Sequence, residues 1–313
     1  MTVFLFDPPT TDTEASSSLQ QHQCQRLAQE CEWESVMVSS LPNNPPNMSF
    51  YMPSGEEVRF CAHAAMGACW SILRYGGPAD PRKNDRDPTK FIFTSQNGVE
   101  THFANITNLP NDNFPSSSPS GVVELKMDSQ FVEEPWQSYP HSEDIMPKLL
   151  SQIGISPIDI HPHYPFCNSS ISRNKTLIPI RHPHRLQSAT SPNDPPLFRS
   201  LCDALHSTGI YLYTPLSSPQ DLECRQFPRA SGYPEDPATG IAAGALVRSW
   251  HSYQTTLGND ELEEETVKNY TIFQGRAMGR PSQIRIRLED KNDGIDLYCS
   301  GMVNIDSHES VII

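Results

Sequence analysis

Apolar positions along the chain fall into short runs separated by polar, proline-rich stretches, with two longer apolar runs that read as helices. Residues 3–6 read as a first strand. Residues 19–31 read as a helix, because Cys24, Leu27, Ala28 and Cys31 fall at i, i+3, i+4 and i+7. Short strands follow near 36–38 and 47–52. "VRFCAHAAMGACWSILRY" at 58–75 begins like a strand and continues as an apolar helix from about His63. Strands are predicted at 91–95, 99–104 and 122–127, and then comes a loop-rich middle. The second half has strands at 177–180 and 210–214, a helix at 239–252, and closing strands near 270–275, 283–288 and 296–305. "QIRIRL" at 283–288 alternates polar and apolar residues, so one of its faces is wet.

"AHAAMGACWSIL" and "ATGIAAGALVRSW" look like two versions of one device. Each is apolar nearly all round, the pattern of a buried helix, and its Ala and Gly residues let strands come close. This points to an internal duplication of roughly 120–150 residues per half, the size of a domain. The alternative is two unrelated core helices. The domains are placed at 1–125, completed by a C-terminal strand near 300–313, and at 126–300.

Composition narrows the class. The 313 residues suit two domains. With 36% hydrophobic and 19% charged residues there is enough apolar material for real cores. Many of the 29 prolines gather in loops, as at 41–47, 113–121 and 191–196. A formal charge of −14 repels a phosphate backbone and argues against a nucleic-acid partner. "DELEEE" at 260–265 reads as a solvated loop or helix end. The start lacks a basic secretory pattern and no apolar run is long enough to span a bilayer, so a soluble cytoplasmic protein is expected. Eight cysteines form no Cys-x-x-Cys pair, so most are expected to be reduced and buried. "HPH" occurs at 161–163 and 182–184, but no third ligand of fixed spacing accompanies it, and no metal site is assigned. No phosphate-cradling Gly-x-Gly-x-x-Gly occurs.

The chemistry gathers at the two helix mouths. The first carries His63. The second carries Glu235, Asp236 and Thr239, within "EDPATGIAAGAL" at 235–246. A helix N-terminus has free N–H groups and the positive end of the dipole, and so suits an anion such as a substrate carboxylate. If the two helices face each other across a cleft, Asp236 and His63 are available for proton transfer. The plainer reading of Asp236 is a helix cap.

"EDPATGIAAGALV" resembles the signature Glu-Asp-x-Ala-Thr-Gly-Ser-Ala-Ala-Gly of the PhzF-like family of phenazine-biosynthesis isomerases, relatives of diaminopimelate epimerase and proline racemase. "RFCAHAAMGA" (59–68) is similar to its Pro-Phe-Ala-Gly-His-x-x-x-Gly segment. "FQGRAMGRPSQIRI" (273–286) is similar to its Gln-Gly…Gly-Arg-Pro-Ser strand pair, and "QHQCQRLAQE" (21–30) to its first helix. The resemblance implies an α+β fold of two similar domains. Each is a curved, mostly antiparallel sheet or barrel wrapped around a central apolar helix, as in diaminopimelate epimerase, with the site between them. It implies a homodimer and, for phenazine-pathway members, no cofactor. A Glu acts as base with help from an Asp and a His; Asp236 and His63 match the latter two.

Several positions depart from the family pattern. An ungapped match of "CEWESVMVSS" (31–40) puts Ser35 at the family Glu; dropping one residue from the turn puts Glu34 there. A one-residue slip in a strand turns a side chain to the other face. Glu34 is the candidate base, with Glu56 or Glu57 as substitutes, which read more plainly as a solvated pair. Ile241 replaces the family Ser, so the substrate is expected to differ from dihydro-hydroxyanthranilate. Cys61 falls where the racemase branch keeps an acid/base thiol, but the second thiol of that branch is matched by Pro237. Cys61 is therefore placed among the residues lining the substrate, as a small core residue. "PPTTDTEASSS" (8–18), where many members carry an Asn-Pro segment, is expected to be a flexible loop. The leading expectation is a cofactor-free isomerase of a small organic acid, its carboxylate held by N–H groups at His63, Ala64, Ala65 and at Thr239, Gly240, Ile241. The alternatives are a cyclisation, dehydration or elimination on the same fold, or a degenerate binding protein.

Overall fold

The computed structural model describes residues 2–6, 14–31, 34–39, 45–75, 90–95, 100–107, 121–127, 131–257, 267–291 and 294–303. The chain divides into two compact units, Met1–Lys126 with Ser300–Ile313, and Met127–Cys299.

The first unit contains β1 (Thr2–Phe6), α1 (Glu14–Gln29), β2 (Ser35–Ser39), β3 (Asn47–Tyr51), β4 (Glu57–Val58), α2 (Ala62–Tyr75), β5 (Lys90–Ser95), β6 (Glu100–Thr107) and β7 (Gly121–Met127). Its strands pair in the order β1-β2-β3-β5-β6-β7, with β4 on β3. β1 and β2 are parallel, β2 and β3 antiparallel, β3 and β5 parallel, and β5, β6 and β7 antiparallel in turn. α2 packs on β1, β2 and β6. Its small residues Ala64, Ala65 and Ala68 are wholly buried, which lets the strands approach its axis.

The second unit contains β8 (Val132–Pro135), α3 (Ser142–Gln152), β9 (Cys167–Ser170), β10 (Lys175–Pro179), α4 (Pro183–Ser188), α5 (Pro195–Ala204), β11 (Gly209–Pro215), β12 (Asp221–Pro228), α6 (Gly240–Thr256), β13 (Val267–Gln274), β14 (Ser282–Lys291) and β15 (Gly294–Val303), whose last residues belong to the first unit. Its sheet runs β8-β9-β10-β11-β12-β13-β14-β15. β10 and β11 are parallel, β11 and β12 antiparallel, β12 and β13 parallel, β13 and β14 antiparallel. That is the pairing sequence of β1 to β6, with α6 in the place of α2. The duplication read from the two apolar helices is therefore present in the strand order as well. α6 packs on β9, β10 and β14. Gly244 is one reason it can: an added Cβ there would meet Leu297 Cδ2 at 3.3 Å and press still closer on Ile171.

The middle of the chain is not loop-rich, contrary to expectation. It holds α3, α4 and α5, and a second core of Met146, Leu149, Leu150, Ile178, Leu186, Phe198, Leu201 and Phe227 lies between these helices and the sheet. The prolines misled. Pro183 and Pro195 open α4 and α5, where a missing N–H costs nothing and the fixed φ suits the first turn. The segment 8–18, expected to be a flexible loop, belongs to α1 from Glu14 onward; its earlier residues lie outside the described ones, as does the acidic run 260–265. All eight cysteines are free, and all but Cys31 are buried. Among the described residues, no helix is long and apolar enough to cross a membrane.

Candidate active site

Two groups of polar side chains stand at the mouths of the central helices, one in each unit. In the first unit the chain enters α2 through Cys61. Ala65 N–H closes the first helical bond on Cys61 O at 2.9 Å, so the N–H groups of Ala62, His63 and Ala64 have no acceptor within the helix. Ala65 is thereby removed from the expected carboxylate-binding set, because its N–H is committed.

Glu34, just ahead of β2, is only 6% exposed, yet its Oε2 lies 3.3 Å from His63 Nε2. Cys61 Sγ lies close to both ring nitrogens, 3.6 Å from Nδ1 and 3.8 Å from Nε2. Glu34, His63 and Cys61 thus stand together. Ser35, the ungapped match to the family base, is wholly buried and begins β2. Glu56 and Glu57 are exposed, and Glu57 acts electrostatically on Cys24 and Tyr51.

The His63 side chain is 41% exposed. Loss of hydration on its inner edge pushes the imidazole pKa down, but the Cys61 sulfur and the Glu34 carboxylate outweigh this and hold it well above its ordinary value. A folded-state pKa above the unfolded one adds stability at low pH, and that stability is lost as pH rises through the folded value. Glu34→Gln removes one of the groups that raise it. The His63 ring resonances, followed by NMR, should then titrate at a lower pH than in the wild type; an unchanged midpoint would contradict the pairing.

In the second unit the adjacent acids Glu235 and Asp236 part company. Glu235 is buried and takes a two-pronged salt bridge from Arg225, with Nε to Oε1 at 2.8 Å and Nη2 to Oε2 at 2.6 Å. Arg225 Nη1 also donates to the carbonyls of Leu186, Gln187 and Ala189. Glu235 is therefore a fold residue, one that fixes the strand leading into the turn.

Asp236 faces the turn itself. Its Oδ1 accepts from Ala238 N–H at 3.1 Å and its Oδ2 from Thr239 Oγ1 at 2.6 Å. Thr239 caps α6 without a side-chain bond to the helix, so Asp236 shapes the approach to α6 and does not cap it. Gln274 holds the turn from below. Its Nε2 donates to Asp236 O at 2.6 Å and to Thr239 Oγ1 at 3.1 Å, while its Oε1 accepts from Tyr211 OH at 2.9 Å. Ser282 Oγ donates to Pro237 O at 2.6 Å. Gly275 has a φ of +78°, and a Cβ there would lie 2.9 Å from Pro237 O. The "FQGRAMGRPS" stretch is thus the clamp on the Asp236 turn. Its family resemblance singles the stretch out in the sequence, but no residue type in it marks this role.

Ala243 N–H closes on Thr239 O at 3.0 Å, leaving Gly240, Ile241 and Ala242 N–H without acceptors in the helix. Thr239 N–H leans on Gln274 Oε1 at 3.4 Å. The Ile241 side chain is buried, so its backbone N–H is the part left to meet a ligand. Of the histidines in the two "HPH" stretches, His161 stacks on Tyr164 and meets His163 edge-on, and His182 stacks on His184; among the described residues no three His, Cys, Asp or Glu side chains are grouped to hold a metal ion.

The fold has known counterparts. A protein from Deinococcus radiodurans described as an uncharacterized isomerase is 24% identical over 281 residues, 88% of this chain and 79% of the relative. A Bacillus anthracis phenazine biosynthesis protein of the PhzF family superposes with a TM-score of 0.69 at 16% identity, over 96% of this chain and 90% of that one. A Pseudomonas aeruginosa protein described as a predicted epimerase superposes with a TM-score of 0.64 at 19% identity, over 99% and 93%. At such identities the superpositions show the α+β, epimerase-like fold alone. The model of the phenazine biosynthesis-like (PhzC-PhzF) proteins matches residues 10–301, so the chain belongs to that family.

Proposed function

We propose that this protein is a cofactor-independent isomerase that moves a proton on a small organic acid, with Asp236 and His63 as the proton-handling groups. In this reading Glu34 is the base that acts with His63. The helix-start N–H groups of His63 and Ala64, and of Gly240 and Ile241, hold the acid's carboxylate. The observation that carries it is the Glu34–His63 contact at 3.3 Å, with Cys61 at 3.6 Å, at the mouth of one central helix. The Asp236 turn occupies the mouth of the other. Family membership and the isomerase and epimerase descriptions of the relatives support it. A homodimer, a cytoplasmic setting and a biosynthetic pathway are part of the same proposal.

The test is turnover in heavy water on a panel of small unsaturated and hydroxy acids, read by mass spectrometry. A deuterium at a carbon of the isomerised product supports proton transfer. A ring-closed product with every carbon-bound hydrogen retained, or a dehydrated product that has lost one carbon-bound hydrogen with its hydroxyl and gained no deuterium at carbon, would replace isomerisation by the second reading, a non-redox cyclisation or elimination. That second reading is favoured by Ile241, which stands at the family Ser and removes a hydroxyl from the helix start.

A further inference from the structure

We propose that Lys175 and Gln226 form an anion subsite in the second unit that takes a second carboxylate of the small acid handled at Asp236, apart from the one held at the helix starts. The inference rests on the proposed role of Asp236 and goes beyond it by naming the cation that pairs with the substrate.

Strand register places the two side chains. Lys175 lies directly opposite Ser169, and opposed residues of an antiparallel pair share a face. Ser169 Oγ donates to Ala245 O of α6 at 3.2 Å, so Lys175 is on the α6 side of the sheet. Its neighbour Thr176 is on the other side, bonded to Asn168, which in turn donates to Leu205 O beyond α5. Gln226 lies opposite Tyr211, whose hydroxyl donates to Gln274, the residue that clamps the Asp236 turn. Gln226 is therefore on that same face, and its backbone O accepts Asp236 N–H at 3.0 Å.

Gly209 brings the two together. The parallel register that pairs Thr176 with Ile210 sets Lys175 beside Gly209, and Lys175 Nζ donates to Thr208 O at 3.2 Å. A Cβ on Gly209 would stand 2.7 Å from Gln226 Nε2. The glycine, at a φ of +142°, lets the Gln226 amide lie this close to the strand beside Lys175.

Both side chains are under-used. Gln226 is 1% exposed, and neither Nε2 nor Oε1 has a hydrogen-bond partner among the described residues. Buried amides in folded proteins are almost always paired, so a fully buried orphan calls for a missing partner. Lys175 is 5% exposed and carries three N–H donors; Thr208 O is the one acceptor it meets among the described residues. A carboxylate satisfies the spare ammonium hydrogens and Gln226 Nε2 together. Gln226 Oε1 is then left for a hydroxyl on the same ligand.

The surroundings set a pH dependence. Burial pulls the Lys175 amine down to about 7 and Arg173, in the β9–β10 turn, pulls the same way, while Asp236 and Cys202 of α5 oppose them. An arriving carboxylate needs the ammonium form. Affinity is therefore full below about pH 7 and falls by up to about tenfold per pH unit above it.

Benzoate serves as the probe, with benzamide as its uncharged counterpart, titrated calorimetrically into the full chain at pH 6 and pH 8. Wild type is expected to bind benzoate up to about tenfold more tightly at pH 6 than at pH 8. Lys175→Met should lose about tenfold or more at pH 6 and lose the pH dependence with it, while benzamide discriminates neither variant nor pH. Lys175→Arg, charged at every pH used, should bind equally at pH 6 and pH 8, and guards against a Met variant that folds poorly. Benzoate binding that is absent, flat with pH in the wild type, or unchanged in folded Lys175→Met overturns the subsite; a buried water bridging Lys175 and Gln226 would give that result. The titration involves no turnover, so the subsite can fail while Asp236 proves catalytic, or stand while Asp236 proves inert.

Discussion

Asp236→Asn is expected to lower turnover of the acid substrate by about 10²–10⁴-fold, the usual worth of a positioned proton-transfer group. The fold should survive. Asn is the same size, and its Oδ1 can still accept the Ala238 N–H that Asp236 accepts at 3.1 Å. Its Nδ2 would face Thr239 Oγ1, which now donates to the carboxylate at 2.6 Å but can rotate to accept, as it already does from Gln274. The clamp by Gln274 and Ser282 is made to backbone carbonyls, which the substitution leaves in place. What disappears is the group able to take and return a proton. Circular dichroism and the melting temperature should therefore stay close to wild type while kcat/KM collapses. Wild-type turnover in the variant would show that the carboxylate serves the turn alone.

Arg225→Met is expected to do the reverse, striking stability first. Arg225 and Glu235 are 4% and 6% exposed, and the pair is bonded twice through one guanidinium edge, Nε to Oε1 and Nη2 to Oε2. Removing one partner of a buried ion pair leaves the other charge uncompensated, at about 3–5 kcal/mol. Three carbonyls, those of Leu186, Gln187 and Ala189, lose a donor as well. For a domain of this size each kcal/mol is worth about 2–4 °C, so a melting temperature lower by roughly 10 °C is expected. The partnered variant Arg225→Met with Glu235→Leu should recover part of it, since replacing both charges removes the unpaired one. A melting temperature within about 1 °C of wild type would show that this pair carries little of the load.

How far these features were visible in the residues depends on the kind of signal. The central helices were legible because a helix apolar on every side has one use, a buried one, and α2 and α6 sit where their composition put them. The strands were legible to within a few residues wherever β-branched and aromatic residues alternate, as in 283–288. β12 was missed: "DLECRQFP" places Glu223, Arg225 and Gln226 on a strand buried on both faces, and a charge in a core strand is intelligible only once its partner is known. α4 and α5 were missed because prolines that open a helix look the same in sequence as prolines that break one.

Among the candidate residues, His63 and Asp236 stand out through residue type and spacing. The choice between Glu34 and Ser35 rested on a single inserted residue in a turn, which no periodicity resolves; the 3.3 Å contact to His63 brings Glu34 to the first helix mouth. Glu235 and Asp236 were indistinguishable as neighbours in sequence and have different roles because Arg225, ten positions earlier, meets one and not the other. Gln274, Tyr211 and Lys175 act through partners far away along the chain, and nothing local to them marks that.

The most direct measurement of the central claim is a double-substitution cycle on turnover in heavy water, comparing wild type, Asp236→Asn, His63→Asn and the pair. If both groups serve one proton transfer, each single change removes most of the activity and the double variant is no slower than the worse single one, because groups that act as a unit are strongly non-additive. Losses that multiply, or a His63→Asn enzyme that turns over and labels its product at the wild-type rate, would contradict the account.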